Sequence, residues 1–381
     1  MSMFEKNDGV GTTAAEAPSE WMITTPSGGP DDGVVSERAD GGDIGLPLDA
    51  VALSGMSPRA RMIRRGLNSS PAYMFTALVV IFAVFSFLAP DTFPHWDNVQ
   101  LVISNSAVLM TMAVGMTFVM VAAGFDLSIG SVLVFSGVMA SKAMTSFGGQ
   151  GYGTFVVGLA AALVSGAAWG LFNGFCVTRL KVPALITTLG SLGAALGIAN
   201  LITNGNDVST VPNSLISIQT QSWFGFPPIF YIGLLVVLVG GATLRFTKFG
   251  RHTYVVGSND EAARRAGINV NNHLLKLYML SGTLAGLAGM MSLIRFSTTT
   301  IGGHGDDALN VITGVILGGT SLYGGAGTIL GTVIGLFIPA VLQDGFNIKG
   351  LQSFWQQVAT GFILVLAVYI DQLKRKSRDR A

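Results

Sequence analysis

Few residues in this 381-residue chain could carry covalent or metal chemistry, and their spacing argues against an enzyme. The four histidines, His95, His252, His273 and His304, are scattered without metal-ligand spacing. No Ser/His/Asp arrangement can be assigned from spacing. Cys176 is the single cysteine, so no internal disulfide can form; it falls in an apolar run, where packing is its expected role. Asp306 and Asp307 form an acidic pair that reads as a solvated helix start rather than a catalytic dyad. The glycine-rich run Gly318-Gly319-Thr320-Ser321-Leu322-Tyr323-Gly324-Gly325 lacks the lysine and following hydroxyl of a phosphate-binding loop, and no G-x-x-x-x-G-K-[ST] occurs anywhere. It is expected to form a tight inter-helix turn. The chain therefore has no assigned catalytic, cofactor or metal residues, and ATP coupling would need a separate subunit.

Two other motifs have chemical content. The first is Gly124-Phe125-Asp126-Leu127-Ser128-Ile129-Gly130, between two apolar runs. An unpaired aspartate at membrane depth costs on the order of 3 kcal/mol on insertion scales. Asp126 is thus expected to cap the next helix, to line a wet cavity, or both; Asp126 and Ser128 are good capping types. The second motif is Gly257-Ser258-Asn259-Asp260-Glu261-Ala262-Ala263-Arg264-Arg265-Ala266-Gly267-Ile268. Asn259 or Asp260 can start a short helix, with acids in its first turn and Arg264 and Arg265 near its end. Gly267 is a natural stop in the left-handed conformation. This is either a surface-lying linker helix or a docking knob for a cytoplasmic partner.

The elements that must hold these motifs are membrane helices. Half of the residues are apolar and 11% are charged, against about 25% charged in soluble domains. The 50 glycines show no collagen period and suit close helix packing. Residues 1–57 carry ten acids and two bases, leaving 11 acids and 20 bases for residues 58–381. Residues 1–57 are also rich in Gly, Ser, Asp, Ala and Pro, without periodicity, and are expected to be a disordered cytoplasmic tail. They do not read as a signal peptide. Residues 58–381 form the transmembrane domain. About ten spans are expected, at about 72–89, 99–122, 128–146, 154–177, 183–203, 228–246, 274–297, 307–322, 326–343 and 354–371; the eighth is short and the second-to-third connection barely a loop, so eight or nine is the alternative count. The fold class is all-α and polytopic, with a cytoplasmic helix between spans six and seven.

Lys and Arg placement supplies an orientation. Arg59, Arg61, Arg64 and Arg65 precede the first span. Arg179 and Lys181 fall between spans four and five. Arg245, Lys248, Arg251, Arg264, Arg265 and Lys276 fall between six and seven, and Lys374, Arg375, Lys376, Arg378 and Arg380 follow span ten. Ten spans put all of these on one side, with both termini cytoplasmic. The opposite loops are poor in bases: 204–227 and 298–306 have none, and 344–353 has only Lys349.

Span four carries Gly166, Gly170 and Gly174, and span nine carries Gly327, Gly331 and Gly335. Four-residue spacing puts each trio on one helix face for close packing. If spans 2–5 and 7–10 are repeats, these ladders are counterparts, and the repeats are inverted.

On these motifs the sequence resembles the membrane permeases of bacterial monosaccharide ABC importers, the ribose, xylose, arabinose and galactose group. The resemblance runs from about residue 70 to 375. It rests on Gly115-Met116-Thr117, the run at 124–130, Asn173-Gly174, Val182-Pro183, Thr203-Asn204-Gly205, the Glu261–Gly267 element, Gly318–Ser321 and Gly324-Gly325. It implies a bacterial inner-membrane protein that pairs with a second permease subunit, binds a cytoplasmic ATPase and receives solute from a periplasmic sugar-binding protein. The segment holding Asp260, Glu261, Ala262, Arg264, Arg265 and Gly267 is similar to the coupling helix that docks on the ATPase. Asp126, Ser128, Asn173, Asn204 and Asn310 are the expected contributors to the translocation path. The family commonly has an acid and an Asp where this chain has Ala308 and Asn310. That departure leaves open a sugar, a polyol, a modified sugar or a furanone.

The competing class is an ion-coupled secondary transporter. Such proteins usually keep acids or paired charges within their spans. Here Asp126 is nearly the only one, since Lys142 and Arg295 lie near span ends.

Overall fold

A computed structural model describes residues 70–209 and 211–378. The tail expected at 1–57 and the bases Arg59, Arg61, Arg64, Arg65 and Arg380 lie outside the described residues. Those residues contain thirteen helices and one isolated bridge, between Trp223 and Phe226. In chain order the helices are α1 (Ser70–Leu88), α2 (Trp96–Val121), α3 (Ile129–Phe147), α4 (Tyr152–Thr178), α5 (Ala184–Thr203), α6 (Asn213–Thr220) and α7 (Pro228–Phe246). They continue with α8 (Lys248–Ser258), α9 (Asp260–Arg265), α10 (Val270–Phe296), α11 (Asp307–Leu317), α12 (Ile329–Ile348) and α13 (Ser353–Arg378).

Each of the ten expected spans coincides with a helix. Seven of them, α2, α3, α4, α5, α7, α10 and α12, are long and apolar enough to cross a bilayer. Three shorter apolar helices correspond to α1, α11 and α13. The expectation for span eight needs correction: α11 has 11 residues and is about 16 Å long, half of a hydrocarbon core. The span drawn over 307–322 ends early as a helix: the chain leaves it at Gly318, where the expected glycine-rich turn begins.

Burial sorts the helices. Along most of their length α2 and α10 are enclosed, whereas α4, α5 and α7 leave most of their surface outward. The outward side chains are large and apolar, including Phe172, Leu185, Leu201, Leu235 and Leu238. That is the pattern of a bundle whose solvent is lipid.

Glycine brings α4 against α10. A Cβ on Gly166 would strike the Gly282 carbonyl, and one on Gly170 would strike the Tyr278 carbonyl. One on Gly174 would lie 3.1 Å from Leu275 Cα. The second ladder has a different partner: Gly331 and Gly335 of α12 lie against Gly318 and Gly314 at the end of α11. Gly327 is not a rung, because α12 starts at Ile329; Gly327 stands before it at φ +154°. Both ladders therefore mediate backbone contact, but the expected matching of the two trios does not hold in detail. In the larger arrangement α4 packs on α10 and α3, and α12 packs on α2 and α11. Each is thus set against the first helix of the other half and the second helix of its own.

Loops gather at two ends. At one, Arg179 donates to Asn272 (2.9 Å) and Lys181 to Asn271 (3.1 Å), which places two base-bearing loops side by side. At the other, Gln150 accepts from the Asn213 amide (2.7 Å), Thr299 N bonds Val208 O (3.2 Å), and Lys349 reaches Leu88 O (3.0 Å). Charge bias and packing thus agree on which loops share an end.

Candidate functional site

Asp126 lies deep in the bundle. Ser281 Oγ, in the middle of α10, donates to its Oδ2 at 2.9 Å. Gly115 of α2 also faces Ser281, whose Cα would lie 3.0 Å from a Cβ there. Gly115 is six residues before the end of α2, about 9 Å of helix. The chain therefore leaves α2 at Val121, turns through Ala123 at φ +60°, and climbs back inside before α3 begins. Irregular backbone at such depth requires internal partners. Tyr278 supplies two: its hydroxyl accepts from Phe125 N (3.3 Å) and donates to Phe125 O (3.1 Å).

Asp126 does not cap α3 in the expected way. Ser128 is the residue before the helix, and its side chain makes no capping bond. Instead, Asp126 Oδ1 accepts from Ser128 N (3.1 Å) and Ser128 Oγ (2.6 Å), a local turn of the Asx kind. Asn173 Nδ2 of α4 then donates to Ser128 Oγ at 2.8 Å. Asp126, Ser128, Asn173 and Ser281 are each at most 1% exposed. The four join α3, α4, α10 and the re-entrant segment in one polar node. Asn204 and Asn310 lie elsewhere. Asn204 is the exposed left-handed C-cap of α5, and Asn310 lines a cavity beside α11. Sequence reasoning missed Ser281 and Tyr278. Their signal was polar groups at the centre of an otherwise apolar run.

The second assembly lies at the base-rich end. Thr247 caps α8, accepting from Gly250 N at 3.2 Å; the sequence reading missed this helix. The signal was the small or apolar series Gly250, Thr253, Val256 and Gly257, all buried on one face. Asn259 ends α8 and caps α9, with Oδ1 accepting from Ala262 N at 2.9 Å. Two i,i+4 ion pairs follow, Asp260–Arg264 at 3.7 Å and Glu261–Arg265 at 2.5 Å. Gly267 leaves the helix at φ +81°, its N–H bonded to Arg264 O (3.0 Å). Ala263 is fully buried and anchors α9, while Asp260, Glu261, Ala262, Arg264, Arg265 and Gly267 face outward.

This knob is tied to the bundle through backbone. Gly325 N donates to Val121 O at 2.8 Å, and Gly257 fills the space beside that bond. A Cβ on Gly257 would strike Val121 O and lie 2.8 Å from Gly325 N. Tyr254 donates to Gly327 O at 2.6 Å, and burial raises its phenol pKa, which keeps it a donor. The run 318–325, expected as a tight turn, is the larger part of a loop over 318–328 that reaches the end of α2 and the end of α8. Thr117 and Thr332 pair their hydroxyls above it at 2.8 Å.

The structure also assembles a Ser/His/Asp chain that spacing did not reveal. Ser292 Oγ is 2.9 Å from His304 Nε2, and His304 Nδ1 is 2.6 Å from Asp307 Oδ2. Thr300 Oγ1 also sits 2.8 Å from His304 Nε2. Ser292 and His304 are buried, so the set ties the 298–306 loop to α10 rather than presenting a nucleophile. Among the described residues no group of His, Cys, Asp and Glu is arranged for a metal ion.

Residues 98–368 match the family described as branched-chain amino acid transport system / permease component. The ribose import permease protein RbsC of Escherichia coli (strain K12) is 36% identical over 306 residues, 78% of this chain and 92% of that protein. The chain belongs to the monosaccharide permeases of ABC importers. Two other relatives fit the same branch. The L-arabinose ABC transporter permease protein AraH of Azospirillum brasilense is 33% identical over 304 residues, covering 79% of this chain and 87% of that one. The D-allose transport system permease protein AlsC of Escherichia coli (strain K12) is 31% identical over 303 residues, 79% and 91% respectively. As a member of this family the protein is a multi-pass permease subunit of an ABC importer, and its relatives are transport proteins rather than enzymes.

Proposed function

We propose that this permease forms, with a second permease subunit, the translocation path for a monosaccharide or sugar-like solute, driven by a separate cytoplasmic ATPase. The relatives named for ribose, L-arabinose and D-allose support a monosaccharide as cargo. A periplasmic sugar-binding protein delivers it at the base-poor end. The base-rich end faces the cytoplasm of a bacterial cell, with both termini on that side of the inner membrane, because Lys and Arg concentrate in cytoplasmic loops. ATP binds the partner subunit, and this chain holds no cofactor.

The observation that carries the coupling role is α9 itself. It is capped, charged and outward, and sits on backbone that runs directly into the ends of α2 and α8 and the 318–328 loop. A push on α9 passes through Gly257 to Val121 without a flexible side chain between them. Glu261→Lys and Gly267→Pro are expected to abolish uptake while the protein still inserts. Pull-down of the ATPase at wild-type level by both variants would count against docking on α9. Labelling residues 257–267 from outside the cell would overturn the orientation. An ion-coupled transporter would instead take up solute in liposomes holding this chain alone under an ion gradient.

A further inference from the structure

A cavity of about 330 Å³ lies between α11, α12 and α13, at the low end of the range for small-molecule sites. The first residues of α11, the last of α12 and the first of α13 line it, so it lies toward the base-poor end. Three helical stripes converge there. From α12 come Gln343 and Asn347 with Leu342 and Phe346, spaced i, i+1, i+4, i+5. From α13 come Gln356, Gln357 and Thr360. From α11 and its start come Asp306 and Asn310.

The polar side chains of this lining are mainly amides. Gln357 Nε2 donates to Asp306 Oδ2 at 2.7 Å, and Gln356 Nε2 to Asn347 Oδ1 at 2.6 Å. Each bond uses one polar atom of each amide and leaves the other available. The side-chain amides of Asn310 and Gln343 are bonded to no group among the described residues. An amide offers a donor and an acceptor side by side, as each hydroxyl of a polyol does. No Lys or Arg lines the cavity, and two carboxylates do, so an anion is disfavoured. Asp306 is held by Gln357 and Asp307 by His304, so both carboxylates are fixed in the wall, and the groups left to meet a solute are amides. Pro339, Phe346 and Leu364 supply an apolar floor for the C–H face of a ring.

We infer that this cavity is a subsite, inside a single subunit, for a neutral polyhydroxylated solute of monosaccharide size entering from the base-poor end. The inference rests on the proposed function and adds a place and a set of contacts to it. Asn310 is then a solute contact, and Asp306 a positioning residue that holds Gln357.

The test uses cells expressing the full chain with its ATPase and binding protein, and radiolabelled D-ribose, L-arabinose and D-allose as probes. Wild-type uptake of at least one of the three supports the proposed function independently of the cavity. Uptake of none removes the sugar reading, and the subsite with it. For the transported sugar, Asn310→Leu and Gln343→Leu are each expected to lower uptake at sub-saturating sugar about five-fold, the worth of one neutral hydrogen bond. Membrane levels should persist. A loss of expression would make those rates uninformative, so Asn310→Cys and Gln343→Cys provide a second reading. A membrane-impermeant thiol reagent should label both from outside, and millimolar sugar should slow the labelling; the native Cys176 is buried. Unchanged uptake by both leucine variants, or labelling indifferent to sugar, overturns the subsite while leaving the permease function standing.

Discussion

The node at Asp126 allows a sharp test by two substitutions that differ by one group. Asp126→Ala removes the acceptor for three buried donors, Ser128 N, Ser128 Oγ and Ser281 Oγ. The hydroxyls can turn toward other acceptors, as serines in helices do toward the carbonyl one turn back. The Ser128 amide cannot turn. An orphaned buried amide costs about 1–3 kcal/mol, and the void left by the carboxylate adds about 1 kcal/mol. The alanine variant should therefore lose about 2–4 kcal/mol. Asp126→Asn keeps an oxygen toward Ser128 and sets an NH₂ against Ser281, whose hydroxyl can accept. Its loss should stay near 1 kcal/mol. Heating the detergent-solubilised protein and following its monodisperse fraction measures the difference. The alanine variant should fall on the order of 5–10 °C earlier than wild type, and the asparagine variant much less. Equal damage from both, or none from alanine, would refute the view that Asp126 acts by gathering donors.

Other substitutions probe the remaining joints. Gly257→Ala should break the Gly325–Val121 contact and lower both stability and uptake, read as reduced thermal midpoint and reduced transport per inserted molecule. Glu261→Gln, by contrast, removes one well-exposed ion pair and should change stability by less than about 0.5 kcal/mol while weakening ATPase pull-down. Gly166→Leu should prevent α4 from reaching α10, seen as loss of protein from the membrane fraction. Thr117→Val alone should cost about 1–2 kcal/mol by stranding Thr332, and the Thr117→Val, Thr332→Val pair should recover most of it in a double-mutant cycle.

The helical runs and the capped α9 were legible because both depend on neighbours in sequence. Apolar length determines a span, and Asn259, the acids, the arginines and Gly267 determine a short helix by local rules. The end of α11 was legible in part: Gly318-Gly319-Thr320-Ser321 reads as a turn, although the span drawn to 322 runs past it, and α12 packs on that end at Gly331 and Gly335. Not legible was α8, whose buried face meets Leu244 of α7, the end of α2 and His273 of α10. Of the expected path residues, Asp126, Ser128 and Asn173 do meet, but Ser281 completes the node from a helix more than 100 residues later.

Sequence alone settled what the chain is dissolved in, where its apolar helices run, which loops share a basic end, and the family to which it belongs. Those properties are sums or patterns over adjacent residues, and burial in lipid enforces them whatever the packing. Tertiary structure alone decided which polar groups satisfy one another, where the backbone turns back inside the bundle, that Gly327 is a turn residue while Gly331 is a rung, and that amides of three helices enclose one cavity. Each of these is a meeting of distant segments. A buried hydrogen bond or a backbone contact has its energy only once both partners are in place, so neither partner's neighbourhood in the chain can announce it.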